Sequence, residues 1–380
     1  MGVYVHIPFC EQKCSYCDFH SIVVGEVGVF SDLVDSYLLS LRREALYYKP
    51  LWGGRTIHSL FLGGGTPNLV PPERLAALLA FLREELPCSG ELEITIEANP
   101  HSLTPEGARV LAAAGVNRVS LGAQAFQDEL LQAIGRLHRA EHISQAVHNV
   151  RRAGIKNINL DLMFGLPGQS LEQWQDTLRQ ALALKPTHLS CYALTLEPET
   201  PLARWVEAGF AALPGEEEQV EMYQLARGLL RAAGYEHYEI SNFALPGWRC
   251  RHNLLYWRNE PFIGLGSGAA GFIGGRRYLN VPDVQGYILS WEKGSPLYEE
   301  YAELSRDEEM DETMMLGMRL LEGVDEEAFR RRFQVGFSEV YQGAIAELKA
   351  KELVEEAQGC LRVTERGLLL ENRVSAAFLR

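Results

Sequence analysis

Cys10, Cys14 and Cys17 stand in the stretch IPFCEQKCSYCDF with the spacing C-x3-C-x2-C. Three thiolates on one short loop suit a [4Fe–4S] cluster, whose four irons would then leave one free of protein ligands. That open iron is where chemistry could start. Other uses of three thiols remain open. A zinc site wants a fourth Cys or His close by, and His20, three residues past Cys17, reaches back only with awkward geometry. A disulfide leaves one thiol over, and no basic-plus-apolar export signal precedes the loop, so a reducing compartment fits better. Inert packed thiols are the plain alternative, and the preferred one for the scattered Cys88, Cys191 and Cys360.

Further along, Gly63-Gly64-Gly65-Thr66-Pro67 removes three side chains in a row, which lets backbone approach a ligand, though such a run is more often a tight turn. Glu97 in TIEANP, Gln124 in SLGAQAF, Arg136 in the next helical stretch and Asp161 in NLDLMFGLP could each be solvated surface groups. Their types equally suit a cationic, zwitterionic, ribose-bearing ligand, because carboxylates accept from hydroxyl or ammonium groups and Arg pairs with a carboxylate. In CRHNLLYW, His252 offers an imidazole and Tyr256 and Trp257 offer rings that can lie against a flat ligand. Alone, His252 reads as a core or surface histidine, Asn253 as a turn cap and the aromatics as core. Cys250, two residues away, is either a second iron-ligand candidate or a packed thiol.

These residues need elements to hold them. Short β-branched runs (VYVHI, IHSLFL, LEITIEA, VNRVSLG, IKNINLDLMFG, THLSCYAL) alternate with amphipathic ones such as DLVDSYLLSLRREALYY and PERLAALLAFLREEL. Regular alternation predicts right-handed βαβ units and a parallel sheet, here six units that read as a partial (β/α)6 barrel. A complete eight-fold barrel and an open doubly wound sheet compete with it. The candidates recur just past the strands, where parallel α/β folds gather their sites. In GLGSGAAG, Gly266, Gly268 and Gly271 satisfy G-x-G-x-x-G, but FIGGRRYLNV follows and reads as strand or loop rather than helix. A dinucleotide site is therefore rejected and the glycines are expected at the barrel mouth. The expected organisation is a barrel core over 1–235, a flanking segment with HNLLYW over 236–285, and a small, mostly helical, winged-helix-like domain over 286–380. The stretch from GSPLYEEYAEL to EEAFRRRF is read as helical.

With 380 residues, 47% of them hydrophobic, the chain can bury a large core, and no apolar run approaches a membrane span. Thirty-six basic against 50 acidic residues leave a net charge of −14, which argues against nucleic acid as a partner.

The segment YVHIPFCEQKCSYCDF resembles the cluster motif of radical S-adenosylmethionine (SAM) proteins. Its flanks YVHIPFC and Phe19 resemble the branch that holds oxygen-independent coproporphyrinogen III dehydrogenases and the HemW haem chaperones, and the resemblance runs through later motifs over nearly the whole chain. It implies a [4Fe–4S] cluster on Cys10, Cys14 and Cys17, and SAM contacts at Tyr4, Gly64, Gly65, Thr66, Glu97, Gln124, Arg136 and Asp161. SAM would chelate the open iron, and one electron would cleave an S–C bond to give a 5′-deoxyadenosyl radical. The dehydrogenases carry a fourth cysteine where this chain has Phe19, and an N-terminal extension where this chain has nine residues before Cys10. HNLLYW matches the H-N-x-x-Y-W motif associated with haem binding in the chaperones and implies haem at His252. The expectation is a haem chaperone that delivers haem to respiratory or other membrane proteins, is cytoplasmic or peripheral at the inner membrane face, and has a homodimer left open. In that reading SAM and the cluster serve assembly or regulation more than catalysis. The alternatives are coproporphyrinogen III dehydrogenase and a binding module that uses the cluster as a structural staple.

Overall fold

The computed structural model describes residues 1–25 and 27–380. Six strands carry the expected alternation: β1 Gly2–Ile7, β2 Ile57–Gly64, β3 Cys88–Ala98, β4 Arg118–Gln124, β5 Asn157–Phe164 and β6 His188–Ala193. They lie side by side, all parallel, in sequence order. The intervening helices include Pro72–Glu85, Pro105–Ala113, Ala140–Arg152 and Leu171–Ala183. Two of these start at a hydroxyl cap, with Thr104 accepting from Gly107 N–H and Ser170 accepting from Gln173 N–H.

The sheet continues at both edges. On the β1 side, β9 Phe262–Leu265 adds in parallel, followed by antiparallel β10 Ala270–Ile273, β11 Arg276–Asn280 and β12 Tyr298–Glu303. On the β6 side, β8 Asn242–Ala244 and β7 Glu236–Glu239 add in antiparallel fashion. The twelve strands end at β12 and β7, so the architecture is a partial barrel.

Period-two alternation separates two environments. Val3, Val5, Leu60, Leu62, Ile94, Ile96, Val119, Leu121, Ile158 and Leu160 are buried against the helices in one large apolar core, each contributing about 1.5–3 kcal/mol by burial. The alternate positions are polar and equally hidden: Ser59, Glu93, Thr95, Arg118, Ser120, Asn159, His188 and Ser190. Register sets them next to one another, Ser59 with Glu93, Thr95 with Arg118, and Ser120 with Asn159 and His188 in turn. The barrel therefore has a polar lumen inside an apolar shell.

A second apolar core, with Met310, Met314, Phe329, Phe333, Ile345, Leu361 and Phe378, joins the helices Arg306–Gly317, Glu326–Phe333 and Gln342–Ala350. They pack with a small antiparallel sheet of Val324–Asp325, Cys360–Val363 and Val354–Ala357, the winged-helix-like arrangement expected.

Two local expectations are corrected. The stretch read as helical from residue 294 onward begins instead with β12, because Tyr298 stacks its hydroxyl 2.9 Å from that of Tyr48 and Arg276 pairs with Glu303 across the strands. Arg136 is not helical either: Gly135 adopts φ +73°, which ends the helix Asp128–Ala133 and turns the chain before Ala140. No helix among the described residues is long and apolar enough to cross a membrane.

Candidate functional site

The cysteine loop crosses the carboxyl end of β1. Its first residues, Phe9–Cys10, pair in parallel with Ile22–Val23, and Cys17 N–H donates to the Cys14 carbonyl at 3.2 Å, so the loop folds back on itself. Cys10, Cys14 and Cys17 are all half-buried free thiols. Burial pushes the Cys17 thiol up to about 11, and the neighbouring Cys14 and Cys10 add to that rise, which places the three sulfurs within electrostatic reach of one another.

A ring of side chains surrounds them. Thr66 Oγ1 lies 3.7 Å from Cys10 Sγ and accepts from Asn99 Nδ2 at 3.0 Å. Asn99 Oδ1 accepts from Arg136 Nη2 at 2.5 Å, and Arg136 Nη1 donates to Cys14 Sγ at 3.5 Å. The turn that removes Arg136 from a helix is what lets its guanidinium reach both the Gly122 carbonyl, at 2.7 Å, and the cysteine loop. A fixed cation beside three thiols suits an anionic metal–thiolate group. Among the described residues no group of three or more His, Cys, Asp or Glu is gathered tightly enough to hold a single metal ion. Three thiols on one loop, within electrostatic reach of one another and with a cation beside Cys14, suit a cluster with several iron atoms better than a single ion.

Gly64 and Gly65 are both required for packing, and Gly64 also lines the cavity described below. A Cβ on Gly65 would sit 2.7 Å from the Phe9 carbonyl oxygen and 3.0 Å from Cys10 Sγ, and one on Gly64, at φ +111°, would enter the His6 ring. The triple-glycine turn thus lets β2 close against the cysteine loop. Gly64 N–H donates to Glu97 Oε2 at 3.1 Å. Burial, reinforced by Asp161, pushes the Glu97 carboxyl up to about 7. Asp161 lies within β5, accepts from Ser120 Oγ at 2.9 Å and Asn159 Nδ2 at 2.8 Å, and is also raised by burial. Gln124 closes β4 at φ +63° beside a register shift, with its amide near Gly122 and Arg136.

Tyr4, Gly64 and Glu97 line a cavity of about 310 Å³ that also meets Phe19, His20 and Tyr256. Tyr256 belongs to the helix Arg251–Trp257, which carries HNLLYW and packs against Ser59 of β2 and Glu93 of β3. His252 is 1% exposed, and both its nitrogens are engaged: Nδ1 lies 2.8 Å from Ser59 Oγ and Nε2 lies 2.8 Å from the Tyr256 hydroxyl. Burial lowers its pKa to about 3, so the ring is neutral. Cys250 is fully buried, donates to Glu93 Oε1 at 3.7 Å and is pushed up to about 12 by burial. Trp257 does not line the cavity and lies under the Arg319 guanidinium at 4.5 Å.

Structure therefore gathers Thr66 and Arg136 with the cysteines, and Tyr4, Gly64 and Glu97 with Tyr256. It also adds Asn99, His6 and Glu93, which sequence reading passed over. His6 and Glu93 were detectable in principle, since each shares a strand face with a chosen residue, two positions from Tyr4 and four from Glu97.

Comparison with known proteins matches this architecture. Residues 4–181 match the Radical SAM superfamily and residues 304–370 the HemN C-terminal domain. The chain is 39% identical over 380 residues to the heme chaperone HemW of Bacillus subtilis, covering 100% of this chain and 99% of that protein. It is 37% identical to the heme chaperone HemW of Escherichia coli, covering 100% and 98%. Coproporphyrinogen III oxidase (HemN) from E. coli, a radical SAM enzyme of solved structure, shares the fold with a TM-score of 0.84 at 24% identity, over 99% of this chain and 89% of that one. Superfamily membership implies a [4Fe–4S] cluster and SAM. By full-length similarity, cysteine loop and HNLLYW helix together, the chain belongs to the HemW family of radical SAM proteins.

Proposed function

We propose that this chain is a haem chaperone that holds a [4Fe–4S] cluster on Cys10, Cys14 and Cys17, binds SAM and haem, and passes haem to haem-dependent membrane proteins from the cytoplasm or the inner membrane face. One observation carries the reading: residues assigned to SAM by resemblance (Tyr4, Gly64, Glu97) and a residue of the haem motif (Tyr256) line the same cavity.

When bound, the cluster and SAM supply one-electron chemistry at a sulfonium. The chain's own residues prepare the space. Arg136 offsets the charge of the thiolates and is itself steered by Asn99, which also orients Thr66 against Cys10. Glu97, poised near neutrality, becomes a carboxylate once a cationic ligand stands against it. Phe19, 66% exposed, gives the cavity an apolar wall at the position of the dehydrogenases' fourth cysteine. His252 is already the neutral imidazole that iron ligation needs, with Nε2 on the Tyr256 hydroxyl that lines the cavity and Nδ1 on Ser59.

The test is anaerobic gel filtration of reconstituted protein with haem, comparing wild type with His252→Ala. Stoichiometric haem in the wild type and a shifted spectrum or weaker retention in the variant support the chaperone with its site at HNLLYW. Retention that the variant leaves unchanged moves the site elsewhere. No haem retained by the wild type, with porphyrinogen formed from coproporphyrinogen at the expense of SAM, replaces the chaperone with the dehydrogenase.

A further inference from the structure

The helix Arg251–Trp257 has only seven residues, and so short a helix has no fixed direction of its own. What orients it is its first turn, whose N–H groups have no partner within the helix. That turn is closed from the barrel lumen. Glu93, 7% exposed on the inner face of β3, accepts from His252 N–H at 3.2 Å and from the Cys250 thiol at 3.7 Å through Oε1, and from Arg251 N–H at 3.2 Å through Oε2.

His252 and Tyr256 both depend on that grip. They are four residues apart, hence on one face of the helix, and their side chains lie 2.8 Å apart. A rotation of the first turn would carry His252 off Ser59 and Tyr256 off the cavity wall together. Gly2 shows how little slack there is, because a Cβ there would stand 2.9 Å from His252 Nδ1 and closer still to Leu255. Behind Glu93 lies Arg118, fully buried with its Nε unpartnered, whose charge acts on Glu93, Cys250 and Asp161. Glu93 also shares its strand face with Glu97, so one strand serves the motif helix at one level and the SAM-side cavity wall at the next.

We propose that Glu93 is a positioning residue for haem: its lumenal carboxylate clamps the first turn of Arg251–Trp257 and so sets the orientation in which His252 and Tyr256 meet the ligand. The proposal rests on the haem reading above.

Glu93→Ala and Glu93→Gln are reconstituted anaerobically and titrated with haem and, separately, with SAM. Glu93→Ala should bind haem roughly ten-fold more weakly, the loss of one charge-assisted acceptor, with a displaced Soret band. Its SAM affinity should stay within about two-fold, since Glu97, Thr66 and Arg136 are untouched. Glu93→Gln keeps an oxygen that can accept from one N–H and should fall between. Wild-type haem affinity and Soret position in Glu93→Ala would overturn the proposal; if that variant does not fold, the same result in Glu93→Gln would do so. Should the wild type itself take up no haem, the chaperone reading fails. The clamp is then read by amide exchange across residues 251–257: protection lost in the variant sustains it, and unchanged protection refutes it.

Discussion

Glu44 is a buried acid, with no hydrogen bond to the cysteine loop among the described residues, that should control how stability responds to pH. Its carboxylate is 0% exposed, accepts from Gly266 N–H at 2.8 Å and Tyr287 Oη at 2.5 Å through Oε2, and accepts from Asn280 Nδ2 at 2.7 Å through Oε1. Burial pushes its pKa from 4.5 up to about 8, against those three hydrogen bonds, which pull it down. A carboxyl whose folded pKa is raised contributes stability that is fully present below its unfolded value and is lost as pH climbs through the folded value. Here the loss runs from about pH 4.5 to about pH 8 and amounts to roughly 4–5 kcal/mol, at about 1.4 kcal/mol per pKa unit. Glu44→Gln removes the titration. It also leaves one of the donors facing an amide NH2, which costs about 1–2 kcal/mol at every pH. The variant should therefore be the less stable protein at pH 5 and the more stable one at pH 8.5. The assay is chemical denaturation of both proteins across that range, compared as a difference so that other raised carboxyls such as Glu97 and Glu239 cancel. Parallel pH profiles would refute the reasoning.

Gly65→Ala should cost about 1–3 kcal/mol and lower the iron retained after reconstitution, because the new methyl meets the rigid Phe9 carbonyl and Cys10 Sγ rather than a movable chain end. Thermal melting and iron analysis check both effects, and unchanged iron would show that the loop can shift without losing its ligand geometry. Arg319→Ala removes the cation that stands 3.9 Å from the fully buried Glu239, 3.3 Å from Glu371 and over the Trp257 ring. Stranding a buried carboxylate sets the scale, reduced by the 26% exposure of Arg319 to about 2 kcal/mol, seen as an earlier denaturation midpoint; an unmoved midpoint would deny the contact any role in seating the C-terminal domain.

Much of this chain was legible without coordinates, for a physical reason: cysteine spacing and side-chain alternation are local properties of the backbone. C-x3-C-x2-C places three thiols on one turn however the rest folds, and period-two runs separated by amphipathic helices admit few architectures besides parallel βαβ units. The same locality misled where neighbours at a distance won. Tyr298–Glu303 became a strand because the Tyr48 and Tyr278 rings and β11 were there to receive it, and Arg136 left its helix at Gly135 to reach Cys14, 122 residues earlier.

What only tertiary structure decided is which polar residues meet inside the barrel. Glu93 and the His252 amide are 159 residues apart, and Ser59 and the His252 ring are 193 apart. Nothing in a run of sequence reports such a pairing, because it arises from strand register and from the chain returning across the lumen. The sequence by itself determined the cluster loop, the strand order of the barrel units and the family. The tertiary structure decided that the first turn of the HNLLYW helix meets Glu93 inside the barrel and that its Tyr256 shares a cavity with Glu97. Closing a sheet turns every second residue of each strand inward, toward partners that only the closed sheet supplies.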